Sequence, residues 1–308
     1  MIQKRKRNRY TSRIVSCQTI ASHNSALQYI SMEGADTTLI AIGGGDIAGA
    51  QRVLDEIFDR VEGEPDARMA VMTVATDEQD AAAQKYDRLF RKRSIRHVES
   101  VHINEREDAF APSQLKKLER ADVIFFTGGD QLHITSLLGG SDLHSLLIDK
   151  FESGTPIVGT SAGAAMMSAT MITAGPNDVA PRTGCVEIAA GLDMIDGTVT
   201  DTHFAQRGRH GRLMTAVAHY PQILGIGIDE KTAIVVSGRQ FKVVGEGSVT
   251  IVDGSKMKHA NLVYTDEGSP IGLFDVCVHV LPEGYSFDLD AREPAPPRTK
   301  HSAGAGAQ

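Results

Sequence analysis

Three short apolar runs in this chain end the same way, in glycines. TTLIAI precedes GGGD (43–46), DVIFF precedes TGGDQ (127–131) and TPIV precedes GTSAGA (159–164). A short run that is apolar on both alternating faces suits a strand covered on both sides, as in parallel sheets between helices. Segments with apolar residues at helical spacing separate the runs: AGAQRVLDEIFDRV, AAAQKYDRLFRKR, APSQLKKLERA and SDLHSLLIDKFESG. RMAVMTVAT and the shorter HVESVHI supply two more strands. The alternation predicts an α/β fold built on a doubly wound, mostly parallel sheet. In such sheets ligands bind beyond the carboxyl ends of the strands, where all three glycine stretches fall. The second half is richer in strands. ILGIGID, TAIVVSG, QFKVVGEG, SVTIVDG, ANLVYT and DVCVHVL are expected as additional C-terminal β-hairpins that extend or flank the sheet.

The 308 residues are 41% hydrophobic, enough for one large domain, which we place at 36–285. Residues 1–35 open on the basic run KRKR and read as a solvated lead-in. Residues 286–308, with AREPAPPRTKHSAGAGAQ, have the Pro, Ala and Gly content of a disordered tail. A net charge of −7 argues against a general nucleic-acid partner. No apolar run approaches the roughly 20 residues of a membrane span. The basic N-terminus is not followed by a continuous apolar segment, so a cytoplasmic location is expected. Cys17, Cys185 and Cys277 are scattered, which suits neither a disulfide framework nor a thiolate zinc site.

Gly159-Thr160-Ser161-Ala162-Gly163 fits G-x-S-x-G at the end of a buried strand. On such a strand–turn–helix corner a serine takes a strained backbone conformation that exposes its hydroxyl as a nucleophile. The helix that follows points backbone N–H groups at charge developing on a substrate oxygen. The bland reading is a glycine-rich turn with a capping serine. Among eleven histidines His203 stands apart, in VTDTHFAQRGRHGRL beside Asp201, and is the candidate general base. Most of the others read as surface or strand positions, and His97 and His102 around Glu99 would face opposite sides of a strand. The third member should be a carboxylate that orients the imidazole. Asp229 and Glu230, between two apolar strands, both qualify; one would cap the turn and the other point into the site. Arg207, Arg209 and Arg212 form R-x-R-x-x-R, either a solvated helix face or a clamp for a substrate carboxylate. Asp130 and Asp201 would meet a cationic group on the same ligand.

FFTGGDQ, GTSAGAAMMS, DTHFAQRGRHGRL and GIGIDEKTA, in this order and spacing, resemble the cyanophycinases, serine peptidases whose family also contains the aspartyl dipeptidase peptidase E. The resemblance covers roughly residues 36–285. It implies a flavodoxin-like or class I glutamine-amidotransferase-like fold and a homodimer. The implied activity is exopeptidase cleavage of cyanophycin, a poly-aspartate with arginine on each side-chain carboxyl, to β-Asp-Arg dipeptides. An acyl-enzyme mechanism would need no cofactor and no metal. Carried onto this sequence, the nucleophile falls on Ser161, the base on His203 and the acid on Glu230. The substrate pocket falls on Gln131, Asp201, Arg207, Arg209 and Arg212, and the oxyanion hole on backbone N–H groups near Gly129 and Ala162. Two positions depart from the usual pattern. Thr202 replaces the glutamine of D-Q-H-F and lacks an amide's pair of hydrogen bonds, and Asp46-Ile47 replaces the frequent Glu-Asp.

Other classes fit less well. An α/β-hydrolase esterase runs Ser, Asp, His, whereas here His203 precedes both candidate acids. GGGDIA matches a dinucleotide fingerprint, but the acids at the end of the second strand, Asp77 and Glu78, come about ten residues later than its roughly 20-residue spacing. A non-catalytic binding protein would tolerate loss of Ser161, His203 or Glu230, and all three are present. The nearest alternative is a peptidase E-like enzyme acting on soluble Asp-X or isoaspartyl dipeptides.

Overall fold

The computed structural model describes residues 37–61, 64 and 66–297. The expected lead-in and the last eleven residues, 298–308, lie outside the described residues. The first half alternates strand and helix: β1 (Thr38–Ile42), α1 (Gln51–Phe58), β2 (Arg68–Met72), α2 (Gln79–Arg91), β3 (His97–Val101), α3 (Pro112–Glu119), β4 (Val123–Phe126), α4 (Gln131–Leu138), α5 (Asp142–Glu152), β5 (Ile157–Thr160) and α6 (Ala162–Ala165). Local chemistry sets several of these boundaries. Pro112 opens α3, and the side chains of Asp130 and Ser141 cap α4 and α5 by accepting the backbone N–H of Leu132 and His144.

The second half adds β6 (Ser168–Ala174), β7 (Glu187–Ala190), β8 (Ile195–Thr202), α7 (His210–His219), β9 (Leu224–Ile228), β10 (Thr232–Ser237), β11 (Gln240–Gly245), β12 (Ser248–Asp253), β13 (His259–Ala260), β14 (Leu273–Phe274), β15 (Cys277–Pro282), β16 (Ser286–Asp288) and β17 (Glu293–Ala295).

Two sheets result. The larger has nine strands in the order β17-β16-β11-β10-β1-β5-β4-β2-β3. Its five first-half strands run parallel, and β10, β11, β16 and β17 extend it antiparallel beyond β1. The run β3-β2-β4-β5 reproduces the 2-1-3-4 portion of flavodoxin order. The position beside β5 goes to the chain's first described strand, β1, which brings the loop after β1 next to the turn after β5. The second sheet has six strands, β15-β12-β9-β8-β6-β7.

Alternation along each strand separates the cores. Ile40, Ile42, Val71, Phe125 and Val158 pack with Val53, Leu54 and Ile57 of α1 and with Tyr86 and Phe90 of α2. Leu39, Ala41, Met72, Ile124 and Phe126 face the other way, onto α3, α5 and the inner face of the second sheet. The outer face of that sheet packs Ile172, Val199 and Val252 against Phe204 and against Leu213 and Val217 of α7.

Three expectations are corrected. Residues 286–297, placed in a disordered tail, carry β16 and β17, because Phe287 stacks on Phe241 inside the larger sheet's core. Of ANLVYT only Ala260 lies in a strand, the end of β13: Leu262–Tyr264 form one 3-10 turn, and Val263 and Tyr264 are 86% and 93% exposed. Strands β6, β7 and β8 were not foreseen, since SATMITA and IDGTVTDT mix small and polar residues with few large apolar ones. Among the described residues no helix is long and apolar enough to cross a membrane.

Candidate active site

Ser161 stands alone between β5 and α6, with φ 54° and ψ −111°. A non-glycine residue in that region costs on the order of 1–3 kcal/mol and persists only where its surroundings fix it. Here its N–H donates to Ile42 O of β1 at 2.9 Å, and its carbonyl accepts the N–H groups of Ala164 and Ala165. The G-x-S-x-G corner thus has the strained strand–turn–helix form anticipated for it.

Ser161 Oγ lies 2.9 Å from His203 Nε2, and His203 Nδ1 lies 2.6 Å from Glu230 Oε1. A carboxylate on Nδ1 requires the proton there, which leaves the Nε2 lone pair to accept from the serine hydroxyl. Burial pulls the His203 imidazole below its ordinary value of 6.5; the hydrogen bond to Glu230 pushes it up, and the nearby Arg207 charge pushes it down. The neutral form is therefore favoured.

The Asp229–Glu230 choice follows from the exit of β9. Asp229 is buried and accepts from Ala205 N–H, Ser248 N–H and Ser248 Oγ, so it ties the histidine loop to β12. Glu230 turns the other way, toward the imidazole, and its N–H donates to Gln206 Oε1. Sequence reasoning missed Gln206, and an isolated glutamine carries no signal for that role.

It also missed the function of the first glycine loop. Gly43 O accepts the His203 N–H at 2.7 Å, and Gly44 O accepts the Lys231 N–H at 2.9 Å. A Cβ on Gly44, whose φ is +97°, would sit 2.4 Å from His203 Cε1; one on Gly45 would sit 2.9 Å from Glu230 Oε2. The GGG run is the seat of the histidine and glutamate. Its signal was visible as three consecutive glycines after a strand, a pattern that also matches part of a dinucleotide fingerprint.

The arginine cluster differs from expectation. Asp201, 2% exposed, accepts Arg212 Nε at 2.6 Å and the Arg212 Nη2 and Arg209 Nη1 groups, with Thr202 N–H as a further donor. Arg212 is buried as well. Neither Asp201 nor Arg212 is free to meet a ligand: they satisfy each other at the end of β8, because residues 209 and 212, three apart at the start of α7, both face that strand. Arg209 also donates to Thr202 O at 2.7 Å, and burial lowers its guanidinium to about 10, so it stays a cation at neutral pH. Thr202 has a buried side chain. Arg207 alone remains exposed, beside His203.

Gln131, the first residue of α4, donates Nε2 to Ile172 O at 2.6 Å, leaving its carbonyl oxygen available. Asp130 is primarily the α4 cap, with one oxygen committed to Leu132 N–H. Gly128 passes directly beside Ser161: a Cβ there would lie 3.3 Å from Ser161 Cβ, whereas Gly129, φ +150°, packs on Ala75 O. Ala162 is the first residue of α6, so its N–H has no partner within the helix. A cleft of about 410 Å³ opens over Ser161 and His203, bounded by Gly44, Thr127, Glu78 and Lys85. Thr127 Oγ1, buried in its wall, has no hydrogen-bond partner among the described residues. Among those residues no group of three or more His, Cys, Asp or Glu side chains is placed to share a metal ion.

The model of peptidase family S51 matches residues 14–244. A cyanophycinase of Synechococcus elongatus is 34% identical over 253 residues, covering 82% of this chain and 79% of that one. The cyanophycinase of Trichormus variabilis is 33% identical over 274 residues, covering 88% and 92%. A crystal structure of a peptidase from an acI-B1 actinobacterium superposes with a TM-score of 0.58 at 23% identity, over 82% of this chain and 96% of that one, a likeness of fold.

Proposed function

The chain belongs to peptidase family S51 and is a peptidase, and from that premise we propose that it is a cyanophycinase in which Ser161, His203 and Glu230 carry out a serine-type cleavage. The observation that carries this reading is the hydrogen-bonded file from a positive-φ serine through one imidazole to one carboxylate, at the mouth of a cleft. Relatives named cyanophycinase, a third identical over most of both chains, support the substrate.

His203 Nε2 accepts the Ser161 proton as Oγ attacks the α-carbonyl of a backbone aspartate. The N–H groups of Gly129 and Ala162 hold the oxyanion. His203 then gives its proton to the departing amine, and Glu230 stabilises the imidazolium in between. Water, deprotonated by the same imidazole, releases the acyl group. Arg207 meets a substrate carboxylate and the Gln131 carbonyl oxygen a guanidinium proton, while Asp201, Arg209, Arg212 and Thr202 hold the wall behind them. The protein works as a homodimer in the cytoplasm; exposed Phe274, Val278 and Val280 offer a surface for pairing, and sedimentation at twice 33.1 kDa checks it.

The test is incubation with insoluble cyanophycin and mass spectrometry of what dissolves. Release of β-Asp-Arg is expected. An intact polymer, with hydrolysis of soluble Asp-X or isoaspartyl dipeptides, would instead identify a peptidase E-like dipeptidase. The pH profile checks the base. Protonated His203 cannot accept the serine proton, so kcat/KM falls as pH drops through the lowered imidazole value. The acid limb is expected with its midpoint below 6.5, and a midpoint above 7 would contradict it.

A further inference from the structure

A second cavity, of about 320 Å³, lies between the turn after β1 and α2. Its floor is apolar, formed by buried Ile47 and Leu54 with Leu89. Its rim is cationic: Lys85, Arg88 and Lys92 are exposed along one face of α2, and the lining includes no carboxylate. Arg93, also in the lining, is held by Asp55 and Gln51. Among the described residues no acid pairs with Lys85, Arg88 or Lys92. Cations near a helix C-terminus favour its dipole, which accounts for Lys92 but not for Lys85 in mid-helix. Lys85 lines both this groove and the catalytic cleft, so the groove is the cleft's neighbour across that one side chain.

We propose that this groove is an extended substrate subsite, holding cyanophycin units beyond the two that flank the scissile bond by their arginine α-carboxylates. The assignment depends on the cyanophycin reading above. Each unit of that polymer presents one carboxylate and one guanidinium on a long aliphatic arm. The cationic rim pairs with the carboxylates, and the apolar floor takes the arms. Side chains on one side of an extended backbone recur about every 7 Å, and the helix presents its three cations in steps of about 5 Å, a mismatch that flexible lysine and arginine side chains absorb. A groove that grips carboxylates two or more units away retains the polymer between cleavages.

The test compares wild type with the exposed double variant R88E/K92E on two substrates: long-chain cyanophycin and the two-unit (β-Asp-Arg)2. Neither position belongs to the catalytic array. The expected result is a roughly ten-fold or greater loss of kcat/KM on the polymer, carried by KM and reduced at high salt, with the two-unit substrate unaffected. R88K/K92R should restore the polymer value. In the Ser161→Ala background, co-sedimentation with cyanophycin granules should weaken on charge reversal. Equal losses on both substrates, or no loss on the polymer, overturn the subsite. A wild type inactive on both substrates overturns the cyanophycinase reading itself, and the subsite with it.

Discussion

Ser161→Ala is expected to lower kcat on cyanophycin by about 10⁴- to 10⁶-fold, with KM and thermal stability nearly unchanged. The mutant keeps the cleft, the Gly129 and Ala162 amides and the whole fold, because alanine fills the same backbone position without the hydroxyl. Only the bond-forming atom is lost. Residual turnover would come from the oxyanion site acting on water. His203→Ala is expected to be about as severe, and the double variant no worse than either alone, since the proton transfer fails once either partner is missing. More than a hundredth of wild-type turnover in a purified, folded Ser161→Ala protein would place the nucleophile elsewhere.

Asp201→Ala is expected to act on stability first. It leaves the guanidinium of buried Arg212, a residue 6% exposed, and part of Arg209 without their anion. Breaking a buried pair by removing one partner costs about 3–5 kcal/mol, a fall in Tm of roughly 10 °C for a domain this size. Activity should drop as well, because Arg209 holds Thr202 O and so fixes the strand end that leads into His203. His203 has φ 50°, a conformation its surroundings must impose. Asp201→Asn, able to accept from the guanidinium without a charge, should recover part of the loss. If Asp201 is instead a direct substrate contact, Asp201→Ala will raise KM and leave Tm in place. Thermal melts and steady-state kinetics on the same preparation separate the two.

The first half of the fold was open to reading because its signals are local. A strand buried on both faces is apolar at every position, as in VIFF, and the helices between carry apolar residues at i, i+3 and i+7, as Ala83, Tyr86 and Phe90 do. Strands β6, β7 and β8 of the second sheet were not, because β8 meets α6 and neighbouring strands through small residues and threonines. Thr198 and Thr200 are buried there, with Thr200 accepting from Ser168, and polar residues buried in a strand leave no apolar pattern. Phe287 anchors the C-terminal strands by a stacking partner 46 residues earlier in the chain, Phe241, which a Pro-rich composition conceals.

At the site the same division holds. The corner at Ser161 is a product of adjacent residues: a strand, one residue forced to positive φ, a helix of small side chains. Its strained form could be anticipated from ten letters. The stretch around His203 singled out that histidine, but which acid faces it and which arginine stays free depend on chain crossings that no local pattern encodes. The insertion of β1 beside β5 carries three glycines under His203 and Glu230, and the entry of β9 beside β8 sets Asp229 inward as an anchor and Glu230 toward the imidazole. The arginines show the limit most clearly. R-x-R-x-x-R announces three cations, but only packing against the end of β8 spends two of them on Asp201 and leaves Arg207 facing solvent. Charge and residue type are properties of the chain; whether a charge is already paired is a property of what folds against it.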